Sequence, residues 1–286
     1  MRADLEGMHD TQAAGAPVVP PRPDLGDPRL VGPPHALGTD FYRAPARRSR
    51  AAGAVAIALA MLVLAGTALT PIVHAWESTR HSDEFTFMAT VGGRPIRWNP
   101  CQPIHYVVDL GAAPQGSLQD VQTAVLDVSD ATGITFVYDG LTDEVPSAHR
   151  ASFQPARYGD RWAPVLIGWV DPETSTFNFD PNGREAAGIA GPLTPDPGPQ
   201  DIYVSGVVAI NVADPNPPGF AEPGDQGPVV LHELGHVMGL GHAKQDGELM
   251  QPSGGGVTGF GPGDLEGLRE LGRQAGCLPT PPVPSG

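Results

Sequence analysis

The pattern of apolar and polar residues changes along the chain. It separates an apolar run, a mixed region and two proline-rich ends. Short runs of β-branched and aromatic residues predict strands, and apolar residues every three to four positions predict helices. The predicted strands cover residues 103–109, 134–138, 164–170 and 204–212, and the predicted helices cover 118–132, 228–238 and 263–272. Because strands and helices are interspersed, the pattern favours an α+β fold.

The apolar run at residues 51–73 contains no charged side chain. As a helix it would be about 35 Å long, enough to cross a hydrocarbon core of about 30 Å. A cluster of arginines precedes it, so the positive-inside rule places residues 1–50 in the cytoplasm and the remainder outside. A cleaved signal peptide is the alternative, since small residues would permit cleavage after Ala75. We therefore expect a single-pass cell-membrane protein with an extracytoplasmic domain, or a secreted protein if cleavage occurs.

Composition separates a folded region from its flanks. The chain has 37 Gly and 33 Pro among 286 residues, which indicates long loops or disordered ends. Residues 1–50 show no helical or strand period and predict a disordered tail. Residues 76–99 predict a linker, 100–277 a folded domain and 278–286 a second disordered tail.

Charge and cysteine content exclude several classes of function. The net charge is −15, and 26 of the 32 acidic residues follow residue 50, so the main body would repel nucleic acid. Two cysteines, Cys101 and Cys277, are too few for a four-thiolate zinc site. Outside the cytoplasm they can form a disulfide that ties the ends of the domain together; two buried free thiols are the alternative.

The segment at residues 229–242 reads VVLHELGHVMGLGH. His232 and His236 are four residues apart, so in a helix they lie on one face, one turn apart. Gly239 can adopt the left-handed conformation that ends a helix, after which His242 can complete a set of three nitrogen ligands. Three protein ligands and an open fourth position are typical of a catalytic zinc site. The spacing therefore predicts one catalytic Zn²⁺.

Glu233 directly follows the first predicted ligand, so its side chain can lie beside the metal without binding it. Zinc lowers the pKa of a bound water to about 7. A neighbouring carboxylate can then take the proton and pass it to the leaving nitrogen of a peptide. We therefore predict that Glu233 is the general base.

The string H-E-x-x-H-x-x-G-x-x-H, followed by Leu-Met-Gln-Pro at residues 249–252, resembles the metzincin zinc endopeptidases. The spacing to Met250 is most similar to their matrixin branch, here of bacterial type. The resemblance implies a metzincin-like catalytic domain over residues 100–277. Its expected fold is a twisted, mostly parallel five-stranded sheet with an active-site helix and a small C-terminal subdomain.

The resemblance also implies roles for residues outside the histidine string. Met250 matches the methionine of a tight turn beneath the zinc. Ile189 and Ala190 match the edge strand that pairs with the main chain of a protein or peptide substrate. No cysteine lies before the predicted domain, which begins at residue 100. This argues against latency by a thiol switch. His149 is the only histidine between residues 110 and 231, so no second, structural zinc is expected.

A Gly- and Pro-containing loop collects oxygen ligands of the kind that Ca²⁺ prefers. They are Asp171, Asp180, Asn182 and Glu185. Acidic loops are common in so acidic a domain, and a calcium site there is a weaker hypothesis than the zinc site.

Together these patterns predict a membrane-anchored zinc endopeptidase that acts on proteins or peptides through a zinc-activated water. Two alternatives remain open at this stage. One is a surface module that binds zinc without catalysis, and the other is a metal-dependent amidase that acts on cell-wall peptides.

Overall fold

The structure is a computed structural model that describes residues 84–180, 185–214 and 216–284. The predicted membrane segment at 51–73 and the tail at 1–50 lie outside these residues. Within the described ranges, no helix is both long and apolar enough to cross a membrane.

Five apolar runs form one central sheet. Its strands are β4 (Ile104–Asp109), β5 (Phe136–Leu141), β6 (Val165–Val170), β7 (Gly188–Leu193) and β8 (Ser205–Asn211). Their order across the sheet is β5-β4-β6-β8-β7, and β7 alone runs antiparallel to its neighbour. Every residue of β6 and β8 is buried, as expected for parallel strands covered on both faces. The prediction of a mostly parallel five-stranded sheet is confirmed.

Four shorter strands complete the described β structure. They are β1 (Thr86–Phe87), β2 (Thr90–Val91), β3 (Arg94–Pro95) and β9 (Leu240–Gly241). The helices are α1 (Ser117–Thr132), α2 (Pro155–Tyr158), α3 (Gln226–Met238) and α4 (Pro262–Leu271).

Helices α1 and α3 pack together through apolar faces and one buried polar network. Val121, Val125 and Val128 of α1 are buried at helical spacing. The Gln226 side chain, at the start of α3, accepts a hydrogen bond from Trp169 and donates one to Asp120 of α1. Because all of these groups are buried, the network fixes where α3 begins relative to the sheet.

Residues 84–99 pack against the domain, whereas the sequence predicted a linker over residues 76–99. Phe85, Ile96 and Trp98 are buried. The indole N–H of Trp98 donates to the carbonyl oxygen of Val237 at 2.8 Å, and β1 pairs with β9. The apolar side chains in this stretch have no regular period, so the sequence pattern did not show that they belong to the core.

The ends of the domain are joined as predicted. Cys101 and Cys277 form a disulfide with a Cα–Cα distance of 5.4 Å, which excludes the free-thiol alternative. The following residues, predicted to be disordered, contact the domain: Leu278 N–H donates to Asn99, and Trp162 donates to the Pro281 carbonyl.

Helix α4 shares the main core. Leu268 and Leu271 are buried in the same apolar cluster as Trp98 and Ile134. The small C-terminal subdomain implied by the resemblance stays a prediction.

Candidate metal centre

Helix α3 ends where the histidine spacing predicts. His232 and His236 lie on α3, and the helix terminates at Gly239, whose φ of 108° is in the left-handed region. Strand β9 then runs along β1, where the hydroxyl of Thr86 donates to the His242 carbonyl at 2.9 Å. The reversal at Gly239 and the pairing of β9 thus bring His242 back toward the helix.

The three histidines meet at one point. One ring nitrogen of each lies within 4.8 Å of the others. The Nδ1 atom of His232 faces the Leu249 carbonyl at 2.6 Å, and Nδ1 of His236 faces the Leu240 carbonyl at 2.8 Å. A carbonyl oxygen can only accept, so each Nδ1 carries the hydrogen and each Nε2 carries a free lone pair.

The distance between these nitrogens shows whether the residues could hold a zinc ion. The Nε2 atoms of His232 and His236 are 3.1 Å apart, with no hydrogen to share between them. Such a contact is repulsive unless a cation lies between the nitrogens. Tetrahedral coordination at Zn–N distances of about 2.0–2.1 Å would place ligand nitrogens roughly 3.3 Å apart. The donor set, its orientation by backbone carbonyls and the nitrogen separation therefore fit a zinc ion.

Burial keeps the imidazoles available as ligands. Desolvation lowers the pKa of His232 to about 4 and that of His236 to about 3. The pKa of His242 is also lowered by burial. All three rings are therefore neutral at pH 7, which is the form that binds a metal.

Glu233 lies beside the cluster without joining its ligand set. The side chain is buried, and its Oε2 has no hydrogen-bond partner among the described residues. Desolvation raises the pKa of Glu233 to about 8 in the absence of a metal. A cation bound nearby would favour the carboxylate form.

Gly188 makes room for this carboxylate, a role that sequence reasoning missed. A Cβ atom added to Gly188 would lie 2.7 Å from both Cγ and Oε1 of Glu233. The Glu233 side chain therefore occupies space that is free because residue 188 of β7 is a glycine.

The predicted substrate strand borders the same cavity. Ile189 and Ala190 lie on β7, which pairs with β8 on one side and has no strand partner on the other among the described residues. A cavity of about 460 Å³ is lined by both residues, by Glu233 and by the three histidines. An extended peptide could therefore lie along β7 next to the metal cluster.

Met250 packs against Gly235 of α3, and its role in a turn beneath a zinc ion stays a prediction. It is fully buried, and a Cβ added to Gly235 would lie 2.4 Å from its sulfur. The N–H groups of Leu249 and Met250 donate to Asp264 Oδ2 at 2.6 and 3.3 Å. The turn that supplies the Leu249 carbonyl to His232 is thus held by a carboxylate from α4.

Asp264 and Glu248 brace this turn reciprocally, and neither was predicted from sequence. Glu248 accepts hydrogen bonds from the N–H groups of Gly263 and Asp264 at the start of α4. Burial, with a contribution from Glu248, raises the pKa of Asp264 to about 6, against the opposing effect of its N–H donors. For Asp264 the available signal was an acidic residue in the first turn of a predicted helix, since such residues often cap.

The loop predicted to bind calcium gives no support for such a site. Asn182 lies outside the described residues, and Asp180 is exposed. Asp171 accepts the N–H of Glu173 in its own loop, and Glu185 accepts a hydrogen bond from Asn211. Within the described part of the chain, the three-histidine group is the one candidate metal cluster.

Comparisons with known proteins find similar chains among solved structures only. No protein-family model matches the sequence, and no curated protein matches it. Among solved structures, the chain is similar to the crystal structure of archaemetzincin from Methanopyrus kandleri, with 16% sequence identity and a TM-score of 0.36. The match covers 63% of this chain and 99% of that one. A TM-score this low supports no conclusion about this chain, and the matrixin-like branch stays a prediction.

Proposed function

We propose that the protein is a zinc-dependent endopeptidase. One observation carries the proposal. Three imidazole nitrogens lie close together beside a buried carboxylate oxygen that has no hydrogen-bond partner in the described part of the chain, in a cavity bordered by an edge strand. A metal site that serves structure alone is closed and has no use for such a carboxylate.

The residues around the cluster have separable roles in this reaction. When bound, zinc would supply a Lewis acid that polarises the scissile carbonyl and acidifies a water. His232, His236 and His242 would hold it, and the carbonyl oxygens of Leu249 and Leu240 orient the first two rings. Glu233 takes a proton from the attacking water and returns it to the leaving nitrogen.

Substrate orientation would come from β7. Main-chain hydrogen bonds to a free strand edge bind extended peptides with little regard to sequence. Such pairing would place the scissile bond beside the three histidines. Ile189 and Ala190 are the residues we assign to this pairing, because they border the cavity that contains Glu233.

The location outside the cytoplasm belongs to the same proposal. Residues 51–73 would anchor the chain in the cell membrane, with the catalytic domain on the extracytoplasmic side. The Cys101–Cys277 disulfide favours this placement, because disulfides persist in oxidising compartments. If the chain were cut after Ala75, the domain would be secreted.

The test uses the full chain, with Glu233→Gln compared with a control at the exposed Glu173, Glu173→Gln. Elemental analysis should find about one zinc per chain in all three proteins. Cleavage of an unstructured protein should be abolished by a chelator and reduced by about 10²–10⁴-fold in Glu233→Gln alone. Wild-type rates in Glu233→Gln would refute the mechanism. One zinc without any cleavage would favour the binding module, and cleavage of cell-wall peptides alone would favour the amidase.

A further inference from the structure

A second groove lies apart from the metal cluster, near the start of β4 and β6. Its cavity has a volume of about 340 Å³. Trp98, Trp162 and Tyr203 give it an aromatic lining, and Asn99 and Gln102 add polar groups at one side. We call these five residues the tail groove, because the C-terminal segment lies against it.

Leu278, Thr280 and Pro281 contact this groove, and exposure along residues 278–284 repeats with a period of three. Pro279 and Pro282 are exposed, whereas the residues before and after each of them are half-buried. A polyproline II helix has three residues per turn, so every third residue points away from the surface that it lies on. The sequence LPTPPVP at these positions favours that conformation.

Three side chains form hydrogen bonds with the backbone and one hydroxyl of this segment. The Trp162 indole N–H donates to the Pro281 carbonyl at 3.1 Å. The Thr280 hydroxyl accepts from Asn99 Nδ2 at 3.0 Å and donates to Gln102 Oε1 at 2.6 Å. Aromatic side chains and a donor to a proline carbonyl are the means by which grooves recognise proline-rich peptides.

We propose that the tail groove is a binding site for proline-rich peptides in the polyproline II conformation. The chain's own segment 278–284 is its resident occupant. A segment of the same chemistry on another polypeptide, with a hydroxyl residue before a Pro-Pro pair, can take its place.

The resident segment is only partly enclosed by the groove, so the proposal requires that it can exchange with a peptide in solution. None of residues 278–284 is fully buried, and the cavity beside Thr280 is not filled. Its advantage over a peptide in solution is the tether at Cys277, which gives an effective concentration on the order of millimolar. Binding in trans should therefore be measurable once the tether is removed.

The test uses a chain that ends at Cys277 and a synthetic peptide with the sequence of residues 278–286. The Trp162 indole N–H resonance is the readout, with the full chain as the reference for the occupied groove. The peptide should return this resonance to its position in the full chain, with saturation and a Kd between about 10 µM and 1 mM. A peptide with glycine in place of every proline should bind at least tenfold more weakly, because it lacks the preformed conformation.

The matched variant is Trp162→Phe, which keeps an aromatic ring and removes the donor. Because this variant also lacks the indole resonance, its binding and that of the shortened wild-type chain are compared by the fluorescence anisotropy of a labelled peptide. The substitution should weaken binding by about tenfold. If the shortened chain does not unfold cooperatively, Pro281→Gly in the full chain replaces it, with the same peptide and resonance. No saturable shift at millimolar peptide, or equal binding by the glycine peptide, would overturn the proposal.

Discussion

Gly188→Ala tests how Glu233 is placed beside the metal. The added Cβ would lie 2.7 Å from Cγ and Oε1 of Glu233 and 2.8 Å from Cδ, whereas ordinary contacts begin at 3.4 Å. Strand and side chain would therefore have to separate by about 0.7 Å or more. A misplacement of about 1 Å can cost about 10²-fold in rate. We expect kcat to fall by about 10–100-fold while zinc content is unchanged.

The same strand supplies a matched control. Gly191 also lies on β7, and a Cβ there would meet only Met88 Cε at 3.9 Å. Neither glycine has a positive φ, so alanine fits the backbone at both positions. Gly191→Ala should therefore retain wild-type activity.

The assay follows cleavage of an unstructured protein, zinc content and the thermal midpoint of both variants. Overpacking at Gly188 should reduce stability by about 1–3 kcal/mol, a cost that leaves most domains folded at 25 °C. Equal kcat in the two alanine variants would refute the placement of Glu233. Loss of zinc in Gly188→Ala would show that the substitution disturbs the histidines instead of the carboxylate.

Three further predictions concern stability. Chelation should lower the thermal midpoint, because an ion bound only by the folded state stabilises it; an unchanged midpoint in a zinc-loaded sample would contradict this. Replacing Cys101 and Cys277 by serine should reduce the unfolding free energy, by at most about 5 kcal/mol for so long a loop, and denaturant titration measures the loss. Burial raises the pKa of Glu144, but hydrogen bonds from Arg150 and other donors outweigh it and leave the pKa below its ordinary 4.5. The wild type should therefore lose stability as the pH falls below about 4.5, and Glu144→Gln, less stable at pH 7, should lose less over that range.

Local patterns were sufficient to predict the elements that carry the metal ligands. The histidine spacing and Gly239 predicted a helix that ends before a reversal, and α3 ends there. Strand limits were less accurate: the run predicted at 134–138 pairs only from Phe136 onward. The Ile134 N–H donates to the Thr132 hydroxyl instead of a neighbouring strand, a contact that no apolar pattern encodes.

Contacts between distant segments account for what the sequence did not predict. Gly188 shows no special feature in its own neighbourhood, and its role appears only when β7 lies against α3. In the sequence, Asp264 looks like any acidic residue near the start of a helix. Its bond to the Met250 N–H forms only because the turn at Met250 packs against α4. The tail at 278–284 has a disordered composition, and its contacts with Asn99, Gln102 and Trp162 come from residues far away in the sequence.

The pairing of β1 with β9 limits where the chain can be shortened. Because Thr86 pairs with Gly241 and its hydroxyl donates to the His242 carbonyl, the smallest fragment that keeps the three histidines in place must include Thr86. A protease that cuts the chain before that residue would leave this pairing intact. A cut a few residues later would free a protein that keeps its sheet and loses the support of its third histidine.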